Sequence, residues 1–305
     1  MKKTIKFAVG LLGLLSLFTS LAGQAKEITV ATPVGEQLIL QDAKRIVVLD
    51  YGVADTLREL GATDRIVGIP KSTALPAYLE SFKADSFANV GSLPEPAFEK
   101  INELKPDLII ASGRQQKMLD RFKEIAPVFY YQNDFTNFYP SLVNNIEILG
   151  KIVNKEALAK EKIANLESRV NQLAALTKGK TALLVLVNEN RISAYGDTSR
   201  YGLVYQKFGF TPADKNIKSS THGMSVGFEY ILEKNPDYLL VVDRTAAITE
   251  KKDNAKVVLE NDLIKKTNAY QQKHIVYLDA ANWYLAFGGL KATEMMVDEL
   301  EQAVK

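Results

Sequence analysis

The chain of 305 residues carries 38 lysines and arginines against 36 aspartates and glutamates, and this near balance does not favour nucleic acid or an anionic membrane as a partner. It contains no cysteine, which leaves no residue for a disulfide, a thiolate metal site or a lipid attached to an N-terminal cysteine. A chain of this length is expected to form two hydrophobic cores rather than one.

Residues 1–25 are predicted to be a secretory signal peptide. Three lysines precede an apolar run over residues 7–22, and the small residues of GQA follow at 23–25. The run is short for a membrane span, which needs about 20 apolar residues. Cleavage after residue 25 is therefore expected, rather than a permanent membrane anchor. The mature protein is then expected to be a periplasmic monomer.

Residues 26–153 are predicted to form an α/β lobe. A short β-ribbon over residues 28–40 comes first, and strands then alternate with helices. Short apolar strands separated by helices indicate a parallel sheet that is covered on both faces. The predicted strands span residues 45–50, 65–69, 107–111 and 127–131, and the predicted helices include 53–60 and 118–125.

The segment from residue 140 to residue 178 is predicted to be helical throughout, because apolar residues recur along it at helical spacing until Gly179. We expect residues 154–178 to be a bridging helix and residues 179–305 to form a second lobe of similar plan. The predicted fold class is therefore α/β, with two Rossmann-like lobes, each built on a mostly parallel sheet, joined by one long helix. In the second lobe the predicted strands include 182–187 and 275–278, and the last helix spans 291–304.

The sequence FEKINELKPDLIIASGR at residues 98–114 recurs in part as FEYILEKNPDYLLVVDR at residues 228–244. Each copy is predicted to contain a helix, a turn and a strand, and each ends in an arginine, Arg114 or Arg244. Ligands of parallel sheets bind beyond the carboxyl ends of the strands. If the two lobes face each other, both arginines are expected to point into the cleft between them.

Each copy of the repeat also opens its helix with a glutamate, Glu99 in the first lobe and Glu229 in the second. Both are expected at the outer edge of their lobe, away from the loop that follows the strand. Two carboxylates related by pseudo-symmetry suit docking onto a symmetric partner, whereas acids also favour the first turn of any helix. The repeat alone leaves both interpretations open.

Five stretches of the chain carry a family resemblance: RIVVLDYGVADTLRELG at 45–61, the FEKINELKPDLII unit, ISAYGDTSRYG at 192–202, THGMSVGFEYI at 221–231 and HIVYLDAANWYLAFGG at 274–289. Through them the whole mature chain resembles the periplasmic substrate-binding proteins of iron-siderophore ABC importers, the two-lobed class with one bridging helix. The HGMS and NWYLA stretches make it most similar to the branch that binds ferric catecholate siderophores. The resemblance implies capture of such a complex between the lobes and its delivery to an inner-membrane ABC permease.

The same resemblance implies roles for seven residues. The iron-ligating histidine and tyrosine of the branch fall on His222 and Tyr284. Its charge-neutralising, siderophore-binding arginines fall on Arg114, Arg200 and Arg244. The acids that dock onto permease arginines fall on Glu99 and Glu229. No permanent cofactor is implied, because the ferric iron arrives and leaves with the siderophore.

The chemistry of these side chains is consistent with that role. Ferric iron is a hard cation that prefers oxygen and accepts imidazole, so a tyrosine phenolate together with a histidine suits it. Two such ligands would complete an octahedron around iron that a tetradentate bis-catecholate already holds through its four oxygens. A hexadentate tris-catecholate leaves no vacancy, so the arginines alone would hold it through its negative charge.

Two other classes of protein share some of these sequence features. Haem- or corrinoid-binding proteins of the same transport class share the strand and helix pattern. Haem also accepts Tyr and His as ligands, but it favours a broad apolar cleft with fewer arginines.

The GMSVG stretch at residues 223–227 matches the hydrolase motif G-x-S-x-G, and Asp243 and His274 follow in hydrolase order. The polar stretch NIKSSTH before it does not suit the buried strand that the motif needs, so no enzymatic activity is expected.

Overall fold

The structure of the protein is a computed structural model that describes residues 26–218, 220, 222–249 and 251–305. The predicted signal peptide, residues 1–25, lies outside the described residues. Within them, two α/β lobes flank a cleft and are joined by a long helix. None of the described helices has the length and apolar character that crossing a membrane requires. The predicted fold class is confirmed.

A β-hairpin precedes the first lobe, as predicted, with β1 (Glu27–Thr32) antiparallel to β2 (Gly35–Leu40). It lies against one edge of the first lobe's sheet, where Gln37 exchanges two hydrogen bonds with the main chain of Tyr130. The Gln37 Nε2 donates to the Tyr130 carbonyl at 2.9 Å, and the Tyr130 N–H donates to Gln37 Oε1 at 2.8 Å. The amide side chain thereby satisfies backbone groups that an edge strand would otherwise leave unpaired.

The first lobe is built on five strands: β3 (Ile46–Val48), β4 (Ile66–Ile69), β5 (Ala88–Asn89), β6 (Leu108–Ala111) and β7 (Val128–Tyr130). They form one sheet in the order β5-β4-β3-β6-β7, and all neighbours run parallel. Strands β3 and β6 are completely buried because their sequences, IVV and LIIA, carry only apolar side chains. They form the centre of the lobe's core, as the alternating pattern predicted.

Four α-helices accompany these strands: α1 (Tyr51–Glu59), α2 (Phe98–Glu103), α3 (Leu119–Lys123) and α4 (Phe138–Ile152), with 3₁₀ turns at Thr63–Arg65, Ala77–Lys83 and Gly113–Met118. Helix α1 begins directly after β3 because Asp50 caps it. The Asp50 Oδ1 accepts the N–H groups of Gly52 and Val53 at 2.9 and 3.3 Å, which satisfies two of the donors that a helix start leaves free.

A helix of 22 residues, α5 (Glu156–Thr177), bridges the lobes. The prediction of one continuous helix from residue 140 was wrong at residues 153–155, where α4 ends before α5 begins. Asn154 adopts a left-handed conformation there, with φ of 56°, and asparagine tolerates this conformation better than most residues. The apolar stripe predicted for α5 is confirmed at Ile163, Leu166, Val170 and Leu173, which are buried. It was wrong at Leu176, the last residue assigned to it, which is exposed near the end of the helix.

In the part of the second lobe that the structure describes, the sheet contains six strands: β8 (Thr181–Asn188), β9 (Arg191–Tyr195), β10 (Thr211–Pro212), β11 (Met224–Val226), β12 (Tyr238–Asp243) and β13 (Ile275–Leu278). Its main path is β11-β9-β8-β12-β13, and β10 pairs with the start of β8. Strands β12, β13 and β10 run parallel to β8 along this sheet, whereas β9 and β11 are antiparallel to their neighbours. The two antiparallel strands were not predicted, because RISAY and MSV are short and partly polar.

Among its described residues, the second half of the chain adds six α-helices: α6 (Leu203–Gln206), α7 (Phe228–Lys234), α8 (Arg244–Ile248), α9 (Asn254–Leu259), α10 (Asn268–Gln271) and α11 (Leu290–Val304), with a 3₁₀ turn at Ile264–Lys266 and a π-helical turn at Ala281–Leu285. Helix α11 packs against both α1 and the bridging helix α5. The chain therefore returns to the first lobe immediately after the π-helical turn.

The repeated sequence forms the same unit in both lobes, as predicted, with α2 leading into β6 and α7 leading into β12. The equivalent isoleucines Ile101 and Ile231 are both fully buried. The equivalent turn residues Lys105 and Asn235 both have a positive φ, 45° and 39°. Helix, turn and strand thus match in conformation as well as in sequence.

The shared aspartate of the repeat fixes the start of the neighbouring strand. Asp107 accepts the N–H groups of Lys44 and Arg45 at 2.7 and 3.0 Å, just before β3. Asp237 accepts the N–H of Thr181 at 2.8 Å, at the start of β8. Because the same contact aligns the same pair of strands in each lobe, equivalent strand ends face the cleft.

Candidate functional site

A cleft of about 820 Å³ lies between the two lobes, beyond the carboxyl ends of β3, β6, β8 and β12. Its volume is in the range of small-molecule binding sites. The structure brings five of the seven predicted site residues together on its wall: Arg114, Arg200, His222, Arg244 and Tyr284. Their roles in ligand binding stay predictions.

Arg114 follows β6 and reaches two partners at the cleft. Its Nη2 donates to the carbonyl of Tyr284 at 3.0 Å, across the cleft from its own lobe. Its Nη1 lies 3.4 Å from Oδ2 of Asp50, which lies two residues after β3 and caps α1. Asp50 is buried, so its carboxylate fixes the guanidinium and offsets part of its charge.

Arg244 occupies the equivalent position in the second lobe, after β12. Its Nε donates to the hydroxyl of Tyr284 at 2.7 Å, and its Nη1 donates to Oδ1 of Asn188 at 2.7 Å. Asn188 ends β8, as Asp50 follows β3, so both repeat arginines are held by the residue at the end of the neighbouring strand. The second lobe uses a neutral amide where the first lobe uses a carboxylate, and the charge of Arg244 is therefore less compensated.

Arg200 is the third arginine at the same tyrosine. Its Nη2 donates to the Tyr284 carbonyl at 3.3 Å, and its guanidinium carbon lies 5.0 Å from the ring centroids of both Tyr201 and Tyr284. Stacking on aromatic rings suits the planar guanidinium. The Arg200 Nε is buried and has no hydrogen-bond partner within the described residues, so one donor of this arginine is unused beside the cleft.

The segment that carries Tyr284 is held in place from its own lobe by Glu299 on α11. The Glu299 carboxylate accepts the N–H of Asp279 at 2.7 Å and the indole N–H of Trp283 at 2.8 Å. Burial raises the pKa of Glu299. The π-helical turn Ala281–Leu285 begins between these two residues and includes Trp283, and this rare conformation occurs often at functional sites.

Asp55 on α1 holds the other end of the same segment. This fully buried carboxylate accepts the N–H groups of Lys291 and Ala292 at 3.2 and 2.7 Å and the hydroxyl of Tyr78 at 3.1 Å. It thus caps α11 in place of Gly289, which has no side chain to do so. Burial raises the pKa of Asp55 to about 7, although these donors favour the ionised form.

His222 lies on an exposed loop just before β11, on the wall of the cleft. Its N–H donates to Oγ of Ser220 at 3.2 Å. The next residue, Gly223, has φ of +73°, and a Cβ there would lie 2.8 Å from the Tyr195 ring. Only glycine therefore lets the loop pass this close to Tyr195 and bring His222 to the cleft.

Several other cleft residues were not identified from the sequence. Asp50 and Asn188 end apolar strand runs, so the rule that ligands bind beyond strand ends would have found both. Arg191, Ser193 and Tyr195 alternate along β9 and all line the cleft. They were missed because the antiparallel strand β9 was not predicted.

Glu99 and Glu229 lie outside the cleft, each as the second residue of its helix, α2 or α7. Both are exposed. Glu99 borders a shallow groove of about 210 Å³, in which the Arg121 guanidinium carbon lies 3.7 Å from the centroid of the Phe98 ring. Their equivalent placement is as expected for a docking pair, and their docking role stays a prediction.

The three residues that the hydrolase interpretation requires have other positions and contacts in the structure. Ser225 lies in the middle of the edge strand β11 instead of at a turn between a strand and a helix, which is the context that the motif requires. The Asp243 carboxylate accepts the N–H groups of Ala246 and Ala255 at 2.9 and 2.6 Å. The His274 ring stacks on Tyr238 with centroids 4.3 Å apart.

The two lobes, the bridging helix and the arginine-rich cleft define a two-lobed substrate-binding protein. The chain belongs to the periplasmic binding protein family, whose model matches residues 46–281. Family membership is confirmed, because this match covers well over half of the chain.

Three relatives show how far the similarity extends. The petrobactin-binding protein YclQ of Bacillus subtilis is 44% identical over 267 residues, which cover 87% of this chain and 84% of that protein. Its crystal structure matches with a TM-score of 0.88 at 42% identity, over 92% of this chain and 99% of that chain. The catecholate-siderophore binding protein VctP from Vibrio cholerae matches with a TM-score of 0.85 at 34% identity, over 91% and 100%. The ferric-anguibactin-binding protein FatB of Vibrio anguillarum is 30% identical over 280 residues, covering 90% and 86%.

Proposed function

We propose that this protein captures a ferric catecholate siderophore in the cleft between its lobes and delivers it to an ABC importer for iron uptake. The proposal is supported by the similarity to YclQ and VctP, a petrobactin-binding and a catecholate-siderophore binding protein. In this function the protein binds and releases its ligand without converting it. Iron arrives as part of the ligand and not as a resident cofactor.

The observation that carries the proposal is the convergence of three arginines on Tyr284. Arg114 and Arg200 donate to its carbonyl, and Arg244 donates to its hydroxyl. Guanidinium groups at such a site suit the oxygens of an anionic ferric catecholate, both in charge and in their forked donors. A neutral ferric hydroxamate would leave these charges desolvated without a counter-charge, which is unfavourable by about 1–3 kcal/mol for each unpaired group.

Tyr284 and His222 are the proposed protein ligands of iron when the siderophore leaves two coordination positions open. Arg244 has only donors, so its bond to the Tyr284 hydroxyl oxygen persists when that oxygen gives up its proton to bind iron. Phenolate and imidazole are both acceptable ligands for ferric iron. A tris-catecholate, which fills all six positions, would be held by the arginines alone.

In the proposed transport step the loaded protein, a periplasmic monomer, meets an inner-membrane ABC permease. Glu99 and Glu229 are the proposed contacts, one from each lobe, with arginines on the two permease subunits. Their exposure and their equivalent positions on α2 and α7 support this role.

The fluorescence of Trp283, the only tryptophan in the chain, provides the test. Titration of the mature protein with a ferric bis-catecholate, a ferric tris-catecholate and a ferric hydroxamate should give quenching by the catecholates only. Arg200→Gln should weaken both catecholate complexes by about tenfold or more. Lys160→Gln removes a positive charge from an exposed position on α5 and should leave the affinities unchanged.

Equal binding of the hydroxamate, or no quenching by any catecholate, would contradict the proposal. The second candidate is a haem- or corrinoid-binding protein of the same class, which the presence of Tyr284 and His222 in one cleft favours, because haem accepts both as ligands. A shift of the haem Soret band on addition of protein, together with no fluorescence quenching by any catecholate, would favour that candidate instead.

A further inference from the structure

A fourth arginine, Arg191, lies on the cleft wall and has no role in the function proposed above. It is the first residue of β9, which pairs antiparallel with β8. Its side chain shares one face of β9 with Ser193 and Tyr195, which also line the cleft. In the strand register it lies opposite Asn188, the partner of Arg244.

Arg191 differs from the other cleft arginines in having no partner among the described residues. Arg114 is held by Asp50, and Arg200 and Arg244 are held by Tyr284. The Arg191 side chain is exposed and, among the residues that the structure describes, makes no hydrogen bond or ion pair. An unpaired guanidinium on the wall of a ligand cleft is available to a group on the ligand.

The positive charge of the cleft also exceeds the negative charge that a ferric bis-catecholate supplies. Among the described residues, four arginines and one aspartate line it, a formal excess of three positive charges over these five side chains. A ferric bis-catecholate carries one negative charge, so a ligand with a further anionic group would balance the cleft more closely.

We propose that Arg191 is a specificity-determining residue that binds a carboxylate of the ligand lying outside its iron-chelating catecholates. The proposal rests on the proposed function of the cleft. A carboxylate is the chemical class that the geometry favours, since its two oxygens match the fork of a guanidinium. Because Arg191 is exposed, the group that it binds lies on the part of the ligand that faces solvent.

The test compares two synthetic ferric bis-catecholates that share one linker. One linker carries a free carboxylate and the other carries the neutral primary amide in its place. The wild-type protein should bind the carboxylate form about three to five times more tightly than the amide form, the upper range of an exposed ion pair. Arg191→Gln should lose this preference while its affinity for the amide form stays within about twofold of the wild type. Lys160→Gln should keep the preference, which controls for the loss of one positive charge.

The outcomes distinguish failure of the Arg191 assignment from failure of the proposed function of the cleft. If Arg191→Gln keeps the preference for the carboxylate form, or weakens both complexes to the same extent, Arg191 does not bind the carboxylate. The cleft function itself then stands, because both complexes still bind to the wild type. If the wild-type protein binds neither complex, the proposed function fails and the assignment of Arg191 fails with it.

Discussion

Arg244 and Tyr284 are joined by a hydrogen bond of 2.7 Å, from Nε of the arginine to the hydroxyl of the tyrosine. The arginine follows the strand of the second repeat copy, and the tyrosine lies on the π-helical turn before α11. The bond fixes the phenol oxygen at the wall of the cleft. It therefore links the repeated unit of the fold to the residue that is proposed to bind iron.

Loss of this bond should weaken ligand binding even when the charge is kept. Arg244→Lys retains a cation but cannot contact Tyr284 and Asn188 at once with the same fork. We expect it to lower the affinity for a ferric bis-catecholate by about tenfold, and Arg244→Gln to lower it further. Fluorescence titration of both variants measures the effect, and wild-type affinity in Arg244→Gln would contradict it.

The neutral partner of Arg244 offers a second prediction. Asn188→Asp changes one atom and should place a carboxylate beside Arg244, as Asp50 lies beside Arg114. The added negative charge should weaken binding of an anionic ferric catecholate by about tenfold. The fold should be retained because the strand pairing of β8 does not involve this side chain.

The control for Asn188→Asp is Asn171→Asp, the same change at an exposed position of the bridging helix. It should leave the affinity at the wild-type value. The same loss in both variants would mean that net charge and not the cleft geometry decides binding. No loss in Asn188→Asp would show that Arg244 does not contribute its charge to the ligand.

The sequence was sufficient to predict the parts of the fold that rest on local patterns. Apolar strand runs such as RIVVLD and the repeated FE…PD unit identified β3, β6 and β12, because buried parallel strands and helix starts have strong local signatures. The repeat also placed Arg114 and Arg244 at strand ends. Both do lie in the cleft.

The partners of these residues could not be predicted, since they depend on tertiary contacts. Asp55 lies 236 positions before Lys291, whose N–H it accepts, and no local pattern links the two. Strand β9 was missed because RISAY is short and partly polar, and Arg191 was missed with it. The contacts of Tyr284 arise from three separate segments that meet only in the folded chain.

The buried carboxylate of Asp55 predicts a specific pH dependence of stability. Its folded-state pKa of about 7 lies above the ordinary 3.8, so between these values the folded state holds a proton that the unfolded chain has lost. The contribution of this group to the free energy of unfolding should therefore fall as the pH rises from about 4 to 7, by at most about 1.4 kcal/mol per pH unit. The neighbours that act on it are Tyr78, Glu59 and the start of α11.

Urea unfolding of the wild type and of Asp55→Asn at intervals from about pH 4 to pH 8 measures this effect. The difference in free energy of unfolding, wild type minus variant, should fall with rising pH and become flat above about pH 7. A difference that stays constant over the whole range would mean that the three donors at Asp55 keep it ionised throughout.

The docking prediction separates transport from binding. Glu99→Ala combined with Glu229→Ala should abolish uptake of the ferric complex by cells while leaving its affinity for the purified protein unchanged. The control is Glu103→Ala with Glu233→Ala, a second equivalent pair of exposed glutamates on the same helices, which should transport normally. Loss of affinity in the first double variant would refute a role confined to docking.

The central claim is that the cleft binds a ferric catecholate and that Tyr284 and His222 complete the coordination of its iron. The most direct measurement is the visible charge-transfer band of a ferric bis-catecholate on addition of the wild type, Tyr284→Phe and His222→Ala. We predict that binding to the wild type shifts the band. With each variant, the band should lie closer to its position in the free complex. A wild-type complex that binds without any shift, or a shift that both variants retain, would contradict direct ligation of the iron by this protein.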